Sequence, residues 1–193
     1  MNDDQQLIAG VASRDPEAFR ALMERYGSGV INLAYRFLGT VADAEDAAQD
    51  VFLRLYQHPP QLAPSGKLFT WLYRVTVNRC LDLLRQRPQG AKILSLDEPL
   101  PGGEESETTL AEKLPAPAGT SPRDQMVQAE LVTLTRRAVL SLPLALRAPL
   151  ILSAFEELSH EGIGEILGLS PKAVERRISR ARELLKTRLF PHV

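Results

Sequence analysis

The sequence predicts an all-α protein made of two small helical domains joined by a flexible linker. Apolar residues recur at three-and-four spacing through most of the chain, and no run of alternating apolar and polar residues indicates a strand. Residues 88–122 interrupt this pattern, because they hold six of the 14 prolines and four glycines without sustained apolar periodicity. This composition is typical of a linker. We therefore predict one domain over residues 1–87 and a second over residues 123–193.

The first domain contains a long predicted helix and two further helices. Asp15 and Pro16 indicate a helix start, since Asp15 can cap exposed amides and proline suits the first helical position. The apolar pattern that follows predicts either one long helix or a pair broken near Gly27 and Gly29. The other two helices are predicted over Val41–Gln57 and Leu68–Gln86.

The second domain ends in a predicted helix-turn-helix. Amphipathic helices over residues 124–142 and 145–155 are separated at Pro143. A shorter helix over residues 159–167, a glycine turn and a helix from Pro171 to about residue 190 then follow. A short helix, a glycine turn and a helix capped by serine with proline following it are typical of a helix-turn-helix.

Composition argues against several classes of protein. The single cysteine, Cys80, excludes an internal disulfide framework, and its apolar surroundings indicate a buried structural thiol. The histidines His58, His160 and His192 lack cysteine partners at ligand spacing, so we expect no metal site.

No His, Ser and carboxylate arrangement indicates hydrolysis, and we expect no catalytic residues, no cofactor and no enzyme. Without a signal sequence or a long apolar run, the chain is expected to be cytoplasmic, with no membrane insertion.

Charge is distributed unevenly along the chain. The formal net charge is −1, but residues 67–92 and 171–193 each carry +5, while residues 93–124 carry −5. Phosphate contacts depend on local charge, so both basic segments are candidates for nucleic-acid binding. The near-neutral total predicts weak DNA binding by the chain alone.

The final predicted helix carries most of one basic segment on its polar surface. In a helix-turn-helix this helix enters the major groove, where arginine suits guanine edges and glutamate can accept from a cytosine amine. We expect Lys172, Glu175 and Arg176 to face bases and Arg177, Arg180 and Arg182 mostly phosphates, with Ser179 on the same surface. The alternative is a solvated basic helix that only packs in a bundle.

The other basic segment interleaves aromatic and cationic residues on one predicted helix, over residues 68–87. This combination can stack unpaired bases while holding the nucleic-acid backbone. The alternative is that Phe69, Trp71 and Tyr73 simply fill a core, as aromatic residues commonly do.

Together these segments resemble bacterial RNA polymerase sigma factors of the extracytoplasmic-function (ECF, group IV) family. Residues 43–56 are similar to region 2.2 of that family, residues 69–87 to regions 2.3 and 2.4, and residues 142–185 to region 4. The resemblance implies an initiation factor that binds core RNA polymerase, directs it to specific promoters and promotes DNA melting. Residues 1–87 would then bind polymerase and the minus-10 element, and residues 123–193 the minus-35 element.

The resemblance also implies roles for individual residues. Asp46, Gln49 and Asp50 would dock on the clamp coiled coil of the largest polymerase subunit. The loop over residues 58–67 and the following helix would capture the minus-10 strand, with these candidates: Lys67, Trp71, Tyr73, Arg74, Asn78 and Arg79. Family members often have an anti-sigma partner.

Two functions are open for the acidic linker. In relatives this segment threads toward the active-site cleft of polymerase, where the carboxylates of Asp97, Glu98, Glu104, Glu105 and Glu107 could imitate RNA. The alternative is a soluble tether.

Two residues depart from the family pattern. Glu175 stands where a cation is usual, which leaves the base preference of the minus-35 contact open, and Gly162 replaces the acidic residue of a capping box with Ser159. Two rival functions remain open from the residues: a helix-turn-helix regulator that is not a polymerase subunit, and a helical scaffolding protein.

Overall fold

The computed structural model describes residues 3–61, 67–86 and 122–189, and every regular element within these ranges is a helix. The all-α prediction is therefore confirmed. The predicted linker lies almost entirely outside the described residues. The helices are α1 (Asp3–Ala12), α2 (Pro16–Leu38), α3 (Val41–Gln57), α4 (Leu68–Gln86), α5 (Pro122–Leu140), α6 (Leu144–Ala154), α7 (His160–Leu167) and α8 (Pro171–Leu189).

Helix α1 was not among the predicted elements. It buries Ile8 and Val11 against α2, and the Tyr26 hydroxyl donates a 2.6 Å hydrogen bond to the buried carboxylate of Asp4. Gly10 permits the close approach of the two helices, since a Cβ atom there would lie 2.4 Å from the Cβ of Ala18. Ile8 and Val11 are the buried apolar side chains among these ten residues, and so sparse an apolar pattern does not identify a helix from sequence.

Helix α2 is one continuous helix, which resolves the alternative left open by Gly27 and Gly29. It begins where the Asp15 side chain accepts from the Glu17 amide at 2.9 Å, and it ends at Gly39, which has a φ of 90°. Gly29 allows α4 to approach, because a Cβ atom there would lie 3.3 Å from the Tyr73 hydroxyl.

The first half of the molecule is a bundle in which α2, α3 and α4 pack against one another. Fully buried side chains from all three helices form its core, including Phe37, Leu55 and Leu72. Each contributes about 1.5–3 kcal/mol relative to exposure. Cys80 is buried in this core, and burial raises the pKa of its thiol to about 12, as expected of a structural cysteine.

The second half is built around α6, whose buried surface includes Ile151 and Leu152. Helices α7 and α8 pack on α6, and α5 packs on α8. The two halves also touch, since α2 contacts α5 and α6 while α4 contacts α7.

In the ranges that the structure describes, no helix is both long enough and apolar enough to cross a membrane. Within the same ranges, no group of three or more histidine, cysteine, aspartate and glutamate side chains is arranged to hold a metal ion.

Candidate functional site

The predicted helix-turn-helix forms from α7 and α8. Ser159 caps α7 by accepting from the Gly162 amide at 3.2 Å, so the cap forms without an acidic capping-box partner. The turn passes through Gly168, which has a φ of 67°, and Ser170 accepts from the Ala173 amide at 3.3 Å. Gly164 lets the turn lie against α7, because a Cβ atom there would be 2.5 Å from the Leu169 carbonyl oxygen.

Helix α8 presents a polar surface opposite its buried stripe of Val174, Ile178 and Ala181. Six of its seven candidate residues are exposed: Lys172, Glu175, Arg176, Ser179, Arg180 and Arg182. At about 100° per residue, Lys172, Arg176 and Ser179 lie within one narrow sector of the helix. A helix with this surface can enter a DNA major groove.

Arg177 and Arg180 differ from the other cations of α8. Arg177 is half-buried and lies about 140° around the helix from Lys172, on the flank of the buried stripe. Arg180 forms a 3.0 Å ion pair with Glu183, and both side chains are exposed. An exposed pair of this kind contributes little to stability, so Arg180 remains free to exchange its partner for a phosphate.

Helix α4 separates the predicted minus-10 residues into two groups. Trp71, Arg74 and Asn78 follow an i, i+3, i+7 spacing on one side of the helix, and Lys67 is exposed just before its first turn. Tyr73 lies on the core side of the helix and is only 4% exposed. The structure therefore brings together Lys67, Trp71, Arg74 and Asn78, and not Tyr73.

Tyr73 is occupied by contacts inside the protein. Its ring packs on that of Phe69 with centroids 3.9 Å apart, and its hydroxyl donates a 2.6 Å hydrogen bond to Glu156. Burial, together with this bond to a carboxylate, raises the pKa of the Tyr73 phenol. Tyr73 cannot stack on a base while these contacts persist.

The acidic helix α3 places its three candidate residues in different surroundings. Asp46 and Gln49 are exposed and line a groove of about 790 Å³ between α2 and α3, whose walls also include the exposed apolar side chains of Met23 and Leu53. Asp50 instead accepts from Arg79 of α4, at 2.7 Å from Nε and 2.6 Å from Nη2. One candidate polymerase contact is thus paired with one candidate DNA contact.

Three charged residues at the junction of the two halves were missed by the sequence analysis. Arg147 of α6 is buried and donates to the carbonyl oxygens of Phe37 at 3.3 Å and Leu142 at 3.0 Å. Burial lowers the pKa of Arg147 to about 10. The signal for Arg147 was a lone cation within an apolar helix, whereas no sequence signal distinguishes Arg36 and Glu156, which form an ion pair across the junction.

A cleft of about 560 Å³ separates α4 from α7. Lys67, Trp71 and Arg74 line one side, and Ser159 and Glu165 line the other. Arg74 also donates a hydrogen bond across the cleft to the backbone carbonyl of Glu165. The polar side of α4 therefore faces the helix-turn-helix.

Comparisons with known proteins match both halves of the chain. Residues 22–88 match the family described as Sigma-70 region 2, and residues 133–185 match the family described as Sigma-70, region 4. The ECF RNA polymerase sigma factor SigW of Bacillus subtilis is 34% identical over 185 residues, which cover 96% of each chain. The ECF RNA polymerase sigma-E factor of Escherichia coli is 31% identical, with 97% of this chain and 95% of that protein covered.

Solved structures show the same fold. The structure of CnrH in complex with the cytosolic domain of CnrY matches with a TM-score of 0.67 and 24% identity, over 100% of both chains. The sigma factor RpoE of Bartonella quintana, in complex with the anti-sigma factor NepR, matches with a TM-score of 0.63 and 20% identity, over 89% of this chain and 96% of that one.

Proposed function

The chain belongs to the ECF family of RNA polymerase sigma factors, and on that premise we propose how its surfaces divide the work of transcription initiation. As a member of this family it binds core RNA polymerase, directs it to specific promoters and promotes DNA melting. The observation that carries this function is the occurrence of both sigma regions, in order, in one chain whose relatives it matches end to end.

Residues 123–193 form the domain that binds the minus-35 element. The exposed sector of α8 supports this role, with Lys172, Glu175 and Arg176 toward base edges and Ser179 beside them. Arg180 and Arg182 lie on the flanks of this sector, where they reach phosphates. Arg177, on the far flank, contacts a phosphate only where the DNA backbone passes close to the α8 surface.

Residues 1–87 form the domain that captures the minus-10 element. Three side chains on one side of α4 support this role: Trp71 supplies a stacking surface, Arg74 a cation and Asn78 an amide. Lys67 completes the surface, and residues 62–66 of the predicted capture loop lie outside the described residues. Unstacking costs a few kcal/mol per base, which stacking and phosphate contacts offset. Arg79, held by Asp50, supports the surface from its edge.

The groove between α2 and α3 is the proposed docking site for core polymerase. Asp46 and Gln49 give it a polar margin, and the exposed apolar side chains of Met23, Leu53 and Tyr56 give it contact area. An apolar groove with a charged rim is a typical protein–protein interface. Asp50, which is paired with Arg79, contributes less to this contact than Asp46 does.

The factor acts by binding rather than by catalysis. It selects the melted form of the promoter, so it needs no catalytic residues and no cofactor. Residues 88–122 link the two domains and let them reach separate promoter elements. A subunit of RNA polymerase works in the cytoplasm. The sigma factor RpoE is solved in complex with the anti-sigma factor NepR, and a partner of that class would bind this chain as well.

A helix-turn-helix regulator that works without polymerase is not favoured, because it gives no role to the region 2 match over residues 22–88. The discriminating experiment is co-elution of the full chain with core RNA polymerase on a gel-filtration column. We expect stable one-to-one association. No association would favour the independent regulator.

The role of α8 is tested with Arg176→Ala in the reconstituted holoenzyme. Loss of one base contact costs about 1–3 kcal/mol, so retention of promoter DNA falls by about five- to 150-fold. Arg188→Ala, at the other end of α8 where Arg188 bonds to Ser141, is the matched control and leaves retention unchanged. Equal retention by both variants would remove Arg176 from the interface.

A further inference from the structure

The carboxylate of Glu156 lies at the junction between the two halves of the molecule. It follows α6, and its side chain is only 11% exposed. One oxygen accepts the hydroxyl of Tyr73 from α4 at 2.6 Å, and the other forms an ion pair with Arg36 of α2. A single side chain of the second half is therefore bound by two helices of the first half.

Other contacts close the same junction. The guanidinium of Arg36 lies 4.9 Å from the ring centre of Phe155, and that of Arg136 in α5 lies 4.4 Å from the ring centre of Tyr35 in α2. Arg147 reaches from α6 to the carbonyl oxygen of Phe37. Cation–π contacts and charge-assisted hydrogen bonds of this kind are individually modest, but all of them are made only while the halves are together.

The junction brings the helix-turn-helix over the polar side of α4. Arg74 is bonded to the Glu165 carbonyl, and Trp71 faces Ser159 and Gly162 across the cleft. A nucleic-acid strand that pairs with Arg74 has to replace its bond to Glu165, and one that stacks on Trp71 has to enter the cleft between α4 and α7.

We propose that Glu156 is a latch that holds the free chain in a closed, self-inhibited state, in which the helix-turn-helix covers the chain's own minus-10 surface. The identity of the covered surface rests on the proposed function. Opening breaks the bonds of Glu156 to Tyr73 and Arg36 and frees Arg74.

The latch also affects the affinity for polymerase. In the proposed holoenzyme the two domains reach separate promoter elements, so core polymerase holds the chain in its open state although the α2–α3 groove is exposed in both states. For a partner that holds only the open state, the apparent dissociation constant is the intrinsic one divided by the open fraction. Any change that opens the chain therefore tightens binding, up to the point at which the chain is fully open.

The sole tryptophan of the chain, Trp71, reports on the latch directly because it lines the cleft. Glu156→Arg places a cation against Arg36 and is expected to open the full-length chain. We expect faster acrylamide quenching of Trp71 fluorescence, a larger radius of gyration by X-ray scattering, and about tenfold tighter binding to core polymerase. Glu157→Arg is the matched control, since it makes the same charge change at the exposed neighbour of Glu156.

A second variant changes the other member of the Glu156–Arg36 ion pair. Arg36→Glu is expected to open the chain in the same way, and combining it with Glu156→Arg is expected to restore slow quenching and the smaller radius. Circular dichroism of each variant establishes that its helices are intact. If one of the single variants unfolds, the double variant is compared with the other single variant.

The proposal is overturned if folded Glu156→Arg and Arg36→Glu chains quench and scatter like the original chain. It is also overturned if they open without any gain in polymerase affinity. Failure of the original chain to bind polymerase would instead contradict the proposed function, because Trp71 quenching and scattering need no polymerase.

Discussion

Trp71 carries the clearest role of any single residue on α4. Its half-buried indole lies on the same side of the helix as Arg74 and Asn78, lines the cleft between α4 and α7 and also packs against the core. Phe69 and Tyr73, in contrast, stack on each other with Tyr73 buried. Tyr73 is therefore a core residue, whereas the stacking role of Trp71 stays a prediction.

Replacing Trp71 by alanine is expected to impair promoter opening more than initial promoter binding. Stacking on an aromatic ring is worth about 1–3 kcal/mol per base and is available only to an unpaired strand. Permanganate reactivity of promoter thymines measures opening, and DNA retention at low temperature measures initial binding. Trp71→Phe keeps a ring and serves as the control. Equal losses in both measurements with a lowered melting temperature would mean that Trp71 is a core residue.

Asp46 and Asp50 are expected to differ although both belong to the acidic helix. Asp46→Lys reverses a charge at the rim of the α2–α3 groove and should weaken core polymerase binding by about tenfold. Asp50→Ala breaks a half-buried ion pair with Arg79 and should change polymerase binding less than Asp46→Lys does. Titration of labelled chain with core enzyme measures both, with Asp82→Lys on α4 as the charge control. Unchanged affinity of Asp46→Lys would move the docking site elsewhere.

At the scale of elements, the helix-turn-helix depends on one close approach between α7 and the turn. Gly164→Ala pushes a methyl group into the Leu169 carbonyl, which is 2.5 Å from the added Cβ, and should destabilise the protein by about 1–3 kcal/mol. Gly27→Ala adds a methyl group in open space within α2 and should stabilise it by about 0.5–1 kcal/mol. Urea unfolding followed by circular dichroism compares the two variants. Similar effects of both would contradict the packing described for α7.

Elements with strong local signals were predicted well from the sequence. The predicted limits of α3 and α4 agree with the structure, and α7 begins one residue after the capping Ser159. These helices carry dense apolar periodicity and recognisable caps, which are local properties. Helix α1 was missed because its stability comes from packing on α2 rather than from its own pattern.

The candidate site was predicted only in part, for a physical reason. Sequence identifies which residues are cationic or aromatic, and two of the cations that it singled out, Arg74 and Arg176, are exposed in the structure. It could not show that Tyr73 bonds to Glu156, a residue 83 positions later in the chain. Contacts at that separation depend on how the two halves meet, which no local pattern encodes.

At the scale of the whole molecule, separate charged surfaces are combined in a chain with almost no net charge. The basic segments over residues 67–92 and 171–193 are divided by an acidic one, and the chain carries a formal charge of −1 overall. We therefore expect electrostatic attraction to DNA to be weak for the chain alone. In the closed arrangement, α7 further covers part of α4, so both DNA surfaces become available together only when a partner separates the halves.

The central claim is that promoter selectivity arises only when core polymerase fixes the positions of the two domains. Selection of a randomised promoter library, with the chain alone and with the chain bound to core enzyme, tests it directly. We predict that paired minus-35 and minus-10 sequences are enriched, and transcribed, only when core enzyme is present. Tight selection of one duplex sequence by the chain alone, with no transcription when core enzyme is added, would contradict the account.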